Sequence, residues 1–175
     1  MQALHRIIRG IDTMTEKTGR LLAWLCLAMA LTTCLVVLLR YGLGVGSIAV
    51  QESVTYMHAS VFMLGAAFTL KRGGHGRVDI FYRRMTPRAK AWVNSIGAIV
   101  FLLPLCVFIV ISSWDFVRES WSMLETSAEP GGIPAVFLLK TLIPLGAINL
   151  ALQGVAEVLR SALELTKGSS EALGE

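Results

Sequence analysis

The chain has 175 residues, of which 54% are hydrophobic and only 16% charged, and its mean hydropathy is +0.64. Apolar residues run on in unbroken stretches instead of recurring at helical or strand period, which excludes an ordinary soluble domain. The net charge is +4 with a pI near 9.2, but the basic residues lie beside apolar runs and so fit orientation on anionic lipid better than nucleic-acid binding.

Taken in chain order, residues 1–18 predict an amphipathic interfacial arm. Leu4, Ile7, Ile8, Ile11 and Met14 recur at helical spacing, with Arg6, Arg9, Asp12 and Glu16 between them, a pattern suited to the headgroup plane. Residues 21–43 form the first span; its uncharged run, 21–39, is too long for a signal peptide and no small-x-small cleavage site follows it. Residues 48–70 form the second span, and at about 1.5 Å per residue they reach about 35 Å, enough for a bilayer core. This span stops in the run Lys71-Arg72-Gly73-Gly74-His75-Gly76-Arg77. Residues 79–91 predict a second interfacial helix, with Ile80, Phe81 and Met85 among arginines. The third span covers 92–113, with Pro104 near its centre, where neighbouring helices can re-satisfy the freed backbone group. An acidic outer loop over 114–132 ends in turn residues. The fourth span covers 133–160, with Lys140 near its start and Pro144 a turn further on, and 161–175 is a tail.

Charge sets the orientation. Residues 1–20 hold 4 Lys/Arg, residues 71–91 hold 7 and residues 160–175 hold 2, leaving only Arg40, Arg118 and Lys140 for the other side. Short basic segments stay cytoplasmic, so both termini are expected there. Trp24 and Trp92 then fall near the cytoplasmic interface, and Tyr41, Trp114 and Trp121 near the outer one. The expected architecture is an all-α integral membrane protein with four transmembrane helices and two interfacial ones.

Two polar stripes interrupt the apolar spans. Gln51, Thr55 and His58 share one face of the second span, with Glu52 and Tyr56 beside it; Asn149, Gln153 and Glu157 share a face of the fourth. They fit either an ion or proton path, or seams that join helices or bind another subunit. Seams are favoured, because a transport site usually needs broken helices at the midplane and no matched pair of broken helices is present. Arg40 and Glu52 flank a glycine-rich hairpin that predicts a pair between them. Lys140 either snorkels outward or meets Glu52, Asp115 or a partner's carboxylate. His75, among Gly73, Gly74 and Gly76, reads as a loop hydrogen-bonder, and those glycines as a turn out of the second span rather than a phosphate loop.

Nothing in the sequence points to an enzyme or a cofactor. No Ser-His-Asp or Cys-His set has a supporting context. Cys26, Cys34 and Cys106 all sit in apolar spans and read as small packing residues. Only His58 lies within a span, so paired haem ligands are missing.

The order of short motifs resembles a known family. They are Arg40-Tyr41, Gln51-Glu52, Gly65-Ala66-Ala67, and Arg72 through His75 to Arg77-Val78-Asp79. A second block runs from Glu125 and Glu129-Pro130-Gly131-Gly132-Ile133-Pro134 through Lys140 and Ile143-Pro144-Leu145-Gly146 to Leu152-Gln153-Gly154. Together they resemble the small membrane subunit, the DctQ-like component, of tripartite ATP-independent periplasmic (TRAP) transporters, in the branch often labelled mannitol/chloroaromatic. The resemblance implies a scaffold subunit in the bacterial inner membrane that does not transport alone. It implies pairing with a large multi-spanning permease subunit that carries the substrate and sodium sites, while a periplasmic binding protein delivers an organic anion. Under that reading, Arg40, Gln51, Glu52, His58, His75, Asp79, Lys140, Asn149 and Gln153 are candidates for helix seams or the subunit interface. Glu119, Glu125 and Glu129 are candidates for docking the binding protein. The alternatives are a homo-oligomeric, proton-coupled small exporter in which Glu52 acts as the coupling site, or a structural anchor of another complex.

Overall fold

The structure, a computed structural model, describes residues 2–73, 82 and 85–171. His75 lies outside the described residues, as do Asp79 and residues 80, 81, 83 and 84 of the segment expected to form the second interfacial helix, while residues 87–91 of that segment belong to the helix that leads into the third span. The elements are α1 (Gln2–Gly42), α2 (Ile48–Lys71), α3 (Pro87–Gly97), a π-helical turn (Ala98–Leu102), α4 (Leu103–Ser122) and α5 (Val136–Glu171). Four helical stretches are long and apolar enough to cross a membrane, the third being α3, the π turn and α4 together.

The helix of the third span begins at Pro87 instead of 92 and that of the fourth at Val136 instead of 133; three further boundaries differ because a helix continues through a polar stretch. The separation expected between an arm at 1–18 and a span at 21–43 is absent: α1 is a single helix of 41 residues, about 60 Å long. Nothing in residues 18–21, Thr-Gly-Arg-Leu, breaks a helix, and the arm's Ile8, Thr15 and Gly19 are buried against the bundle. The expected outer loop is shorter at its start, because α4 runs on to Ser122, and α5 continues well past 160 into the expected tail.

The third span starts sharply. Thr86 caps α3 by accepting from the Ala89 N–H at 3.3 Å, and Pro87 takes the first-turn position where its missing N–H costs nothing. Pro104 lacks the N–H for Val100, and its ring crowds that carbonyl. The chain absorbs this by widening the preceding turn, with the Leu103 N–H reaching back to Ala98 O, five residues away.

The fourth span is the centre of the molecule. In the apolar window of α5, 39% of residues are buried, against 6% for α1 and α2 and 17% for the third span. α5 packs against every other helix, α1 and α2 also pack on each other, and α3–α4 leans mainly on α5. Close approach of α2 and α5 depends on Gly146, where an added Cβ would lie 2.8 Å from the backbone oxygen of Met63. Small residues at such crossings substitute for the hydrophobic drive that lipid removes. The large apolar side chains left outward, such as Leu31, Phe62, Phe101 and Phe108, suit a hydrocarbon surround.

Candidate functional site

The polar residues gather at the two ends of the bundle. At one rim, the beginning of α1 meets the ends of α2 and α5. Arg160 donates to both carboxylate oxygens of Asp12, at 3.1 and 2.9 Å, and also to Glu157 at 2.5 Å. Gln153, fully buried, donates to Asp12 at 3.2 Å and accepts the Thr15 hydroxyl at 2.8 Å. Glu16 holds Lys71 and Arg72, each at 2.9 Å, and Lys71 also donates to the Asp12 carbonyl. Arg72 lies over the Phe68 ring. These contacts place the start of α1 and the end of α5 on the same side, as an even number of spans requires.

At the opposite rim, the segment between α4 and α5 is a folded cap rather than an open loop. Helix α4 ends in a Schellman motif: Leu124 N–H bonds Trp121 O and Glu125 N–H bonds Ser120 O. Leu124 occupies the left-handed position, with φ of 45°, which glycine usually fills. That turn aims Glu125 back at the helices. Its carboxylate accepts from Ser120 at 2.6 Å and from Lys140 at 2.5 Å, and Lys140 also lies over the Phe116 ring. These two donors, Lys140 first, hold the Glu125 carboxyl below the ordinary carboxylate value. Glu52 closes the other half of the cap, accepting the Ser127 hydroxyl and, at 2.6 Å, the Ile133 N–H. A Cβ at Gly132 would fall 2.4 Å from the Ser127 hydroxyl oxygen and 2.7 Å from the Glu52 carboxylate, so any larger residue would have to displace the Glu52–Ser127 contact. Trp121 donates to Thr141 at 2.8 Å and packs edge-on against Phe137.

The structure sorts the residues singled out in the sequence. Asn149 and Gln153 lie inside the molecule, with Asn149 donating to the Leu64 carbonyl of α2 at 3.3 Å. The expected Arg40–Glu52 pair does not form: Glu52 is taken up by the cap and Arg40 is exposed with no ion pair among the described residues. Lys140 meets Glu125, which was not among its expected partners, so Glu125 is spent internally instead of facing outward like Glu119 and Glu129. Gln51, Thr55 and His58 are exposed on the outer face of α2, and their side chains make no hydrogen bond among the described residues. Sequence reasoning missed Asp12, Thr15, Glu16, Ser127 and Arg160 as contact residues. The available signal was Asp12, Thr15, Gly19 and Leu22, a small and polar ridge at helical spacing within an otherwise basic arm.

An apolar cavity of about 790 Å³ lies between α1, α2 and α5, with Ile109 of α4 at its edge. Its walls are Leu22, Phe62, Met63, Ala66, Ala147 and their neighbours, with no charged side chain. A carboxylate entering it would lose its hydration without gaining a cation.

The family model described as "Tripartite ATP-independent periplasmic transporters, DctQ component" matches residues 29–164. The chain belongs to the DctQ family. No curated protein and no solved structure matches it. This DctQ component is therefore a multi-pass membrane protein and a small subunit of a TRAP-type transporter. The matched segment runs from the middle of α1 through most of α5 and so contains the whole outer cap. It also holds Lys71, Arg72, Gln153 and Arg160 of the inner rim, whose partners Asp12, Thr15 and Glu16 precede it.

Proposed function

We propose that this DctQ component is the static scaffold half of a sodium-coupled symporter in the bacterial inner membrane. It pairs with a large multi-spanning permease subunit, and a periplasmic binding protein delivers the organic anion that the pair imports. Both termini face the cytoplasm, as the Lys/Arg distribution predicts. The observation that carries the reading is the use made of the polar groups. The carboxylates and cations of both rims bind helix to helix, and Glu52 caps a loop instead of lining a path. The apolar space between α1, α2 and α5 offers an anion no cation to bind. A proton-coupled exporter would need Glu52 free to exchange protons with a substrate, and its two bonds to the cap oppose that.

The test is reconstitution. This chain alone in proteoliposomes gives no uptake of small carboxylates. Together with the large subunit, the binding protein and an inward sodium gradient it gives uptake that collapses when sodium is replaced by potassium. Transport by this chain alone, with recovery only as a homo-oligomer, would overturn the scaffold reading.

A further inference from the structure

The face of α2 that carries Gln51, Thr55 and His58 is exposed, with no covering element among the described residues. His58 lies ten residues into a helix that begins at Ile48, about 15 Å from its outer end and so near mid-membrane. Its imidazole makes no hydrogen bond among the described residues and lies nearly parallel to the Phe62 ring, at 6.5 Å between centroids. The Thr55 hydroxyl does not even back-bond to its own helix, unlike Ser60 and Thr69 on the same element. Next to this stripe, α1 and α2 diverge into a groove of about 380 Å³, lined by Met29, Ala30, Thr33, Val54, Thr55 and His58. Met29, Ala30 and Thr33 form the α1 wall, with the Thr33 hydroxyl bonded to its own helix, while the α2 wall carries Thr55 and His58 with no hydrogen bond among the described residues.

Acyl chains cannot satisfy an imidazole, a hydroxyl or an amide, and each left bare in hydrocarbon costs free energy on the scale of a lost hydrogen bond or more. The stripe holds an amide, a hydroxyl and an imidazole and no carboxylate or ammonium, so its recognition is by hydrogen bonds. We infer that the α1–α2 groove around Thr55 and His58 is the docking face for a transmembrane helix of the large subunit, one that brings a neutral hydrogen-bonding side chain to the depth of His58. The inference rests on the scaffold reading above and assigns it a surface. It contrasts with the Asn149–Gln153 seam, which has the same chemistry but is consumed inside the chain. It contrasts also with the outward face of the third span, where Phe101, Leu105, Phe108 and Ile111 are exposed and apolar.

The experiment uses the intact complex in native membranes. A photocrosslinking amino acid is placed at Thr33, at Thr55 and, as a lipid-facing control, at Phe108, and the products are identified by mass. Adducts with the large subunit from Thr33 and Thr55, and not from Phe108, are expected. In parallel, the double variant Thr55→Val/His58→Leu should insert normally but retain about tenfold less large subunit in an affinity pull-down. If the large subunit co-purifies with the wild-type chain yet crosslinks only from Phe108, the docking face is wrong and the scaffold reading survives. Crosslinks between two copies of this chain would assign the groove to self-association instead. Failure of any large subunit to co-purify would remove the scaffold reading itself.

Discussion

Gly146 is the most exacting position in the packing, and Gly146→Ala should loosen the α2–α5 crossing. An ideal Cβ there lies 2.8 Å from Met63 O and 3.2 Å from both Met63 C and Met63 Cβ. Two of these atoms are backbone, so no rotamer change relieves the clash. Ordinary contact begins near 3.4 Å against the 2.8 Å available, so the helices must part by about 0.6 Å. One turn further along α5, Asn149 donates to Leu64 O over 3.3 Å. The same displacement would stretch that bond to about 3.9 Å, beyond hydrogen-bond range. Asn149 is only 5% exposed and its amide oxygen already has no partner among the described residues, so the side chain would then be wholly unpaired.

Overpacking of this kind costs about 1–3 kcal/mol. The lost interhelical hydrogen bond adds about 0.6–1.7 kcal/mol, and the better helix propensity of alanine returns up to about 1 kcal/mol. The net expectation is a loss of roughly 1–4 kcal/mol, growing further for Gly146→Val. Reversible unfolding by SDS in mixed micelles, followed by tryptophan fluorescence, measures it. Gly10→Ala is the internal control, because that helical glycine has nothing within 4 Å, and it should be neutral or gain up to about 1 kcal/mol. If Gly146→Ala unfolds together with Gly10→Ala, the close crossing is not what holds α2 on α5.

Three further perturbations probe the rims. Thr15 and Gln153 are 1% and 0% exposed and bonded to each other, so Thr15→Val and Gln153→Leu should each cost about 1–3 kcal/mol. The double variant should cost about 1 kcal/mol less than their sum, and strict additivity in the same SDS assay would count against the bond. Glu125 has its carboxyl held below the ordinary value of 4.5, first by Lys140 and then by Ser120, so the unfolded chain takes up that proton before the folded one does. Its contribution is fully present above the ordinary value and is lost as pH falls through the lower folded one. Thermal stability of the wild type should therefore drop more steeply than that of Glu125→Gln between about pH 5 and pH 3, and parallel slopes would refute this. Leu124→Gly should raise stability by about 1 kcal/mol by relieving a left-handed leucine whose side chain is 59% exposed. A loss there would mean that the side chain, not the backbone strain, matters.

Four helices could be read from the sequence because continuous apolarity is a one-dimensional signal that needs no knowledge of neighbours. Boundaries were harder, since the arm at 1–18 and the residues after 113 are polar enough for loops but contain nothing that stops a helix. The outer cap was hidden for another reason. Glu52 and Lys140 were visible as costly charges in apolar spans, but their partners, Ser127, the Ile133 N–H and Glu125, come from a loop whose path depends on the turn at Leu124. A Schellman motif without glycine leaves no trace in composition. The inner rim failed to show because Asp12 and Glu16 looked like the solvated side of an interfacial helix, when they in fact face α5 and α2.

The placement of charge follows from what lipid takes away. Apolar helices in hydrocarbon gain little from meeting each other, so an all-apolar bundle would have weak vertical register. Here α1 is tied to α2 and α5 at the inner rim, and α2 to α5 through the cap at the outer one. A one-turn slip of α1, about 5.4 Å, would carry Asp12 away from Arg160 and Glu16 from Lys71 together, so the two pairs oppose the same motion. Under the scaffold reading proposed above, rims clamped at both ends would keep this subunit's helices in fixed register beside a partner. The polar groups within the spans are divided by the position of α5: Asn149 is buried against α2, while Thr55 and His58 on the far side of α2 stay exposed, on the face proposed above for docking.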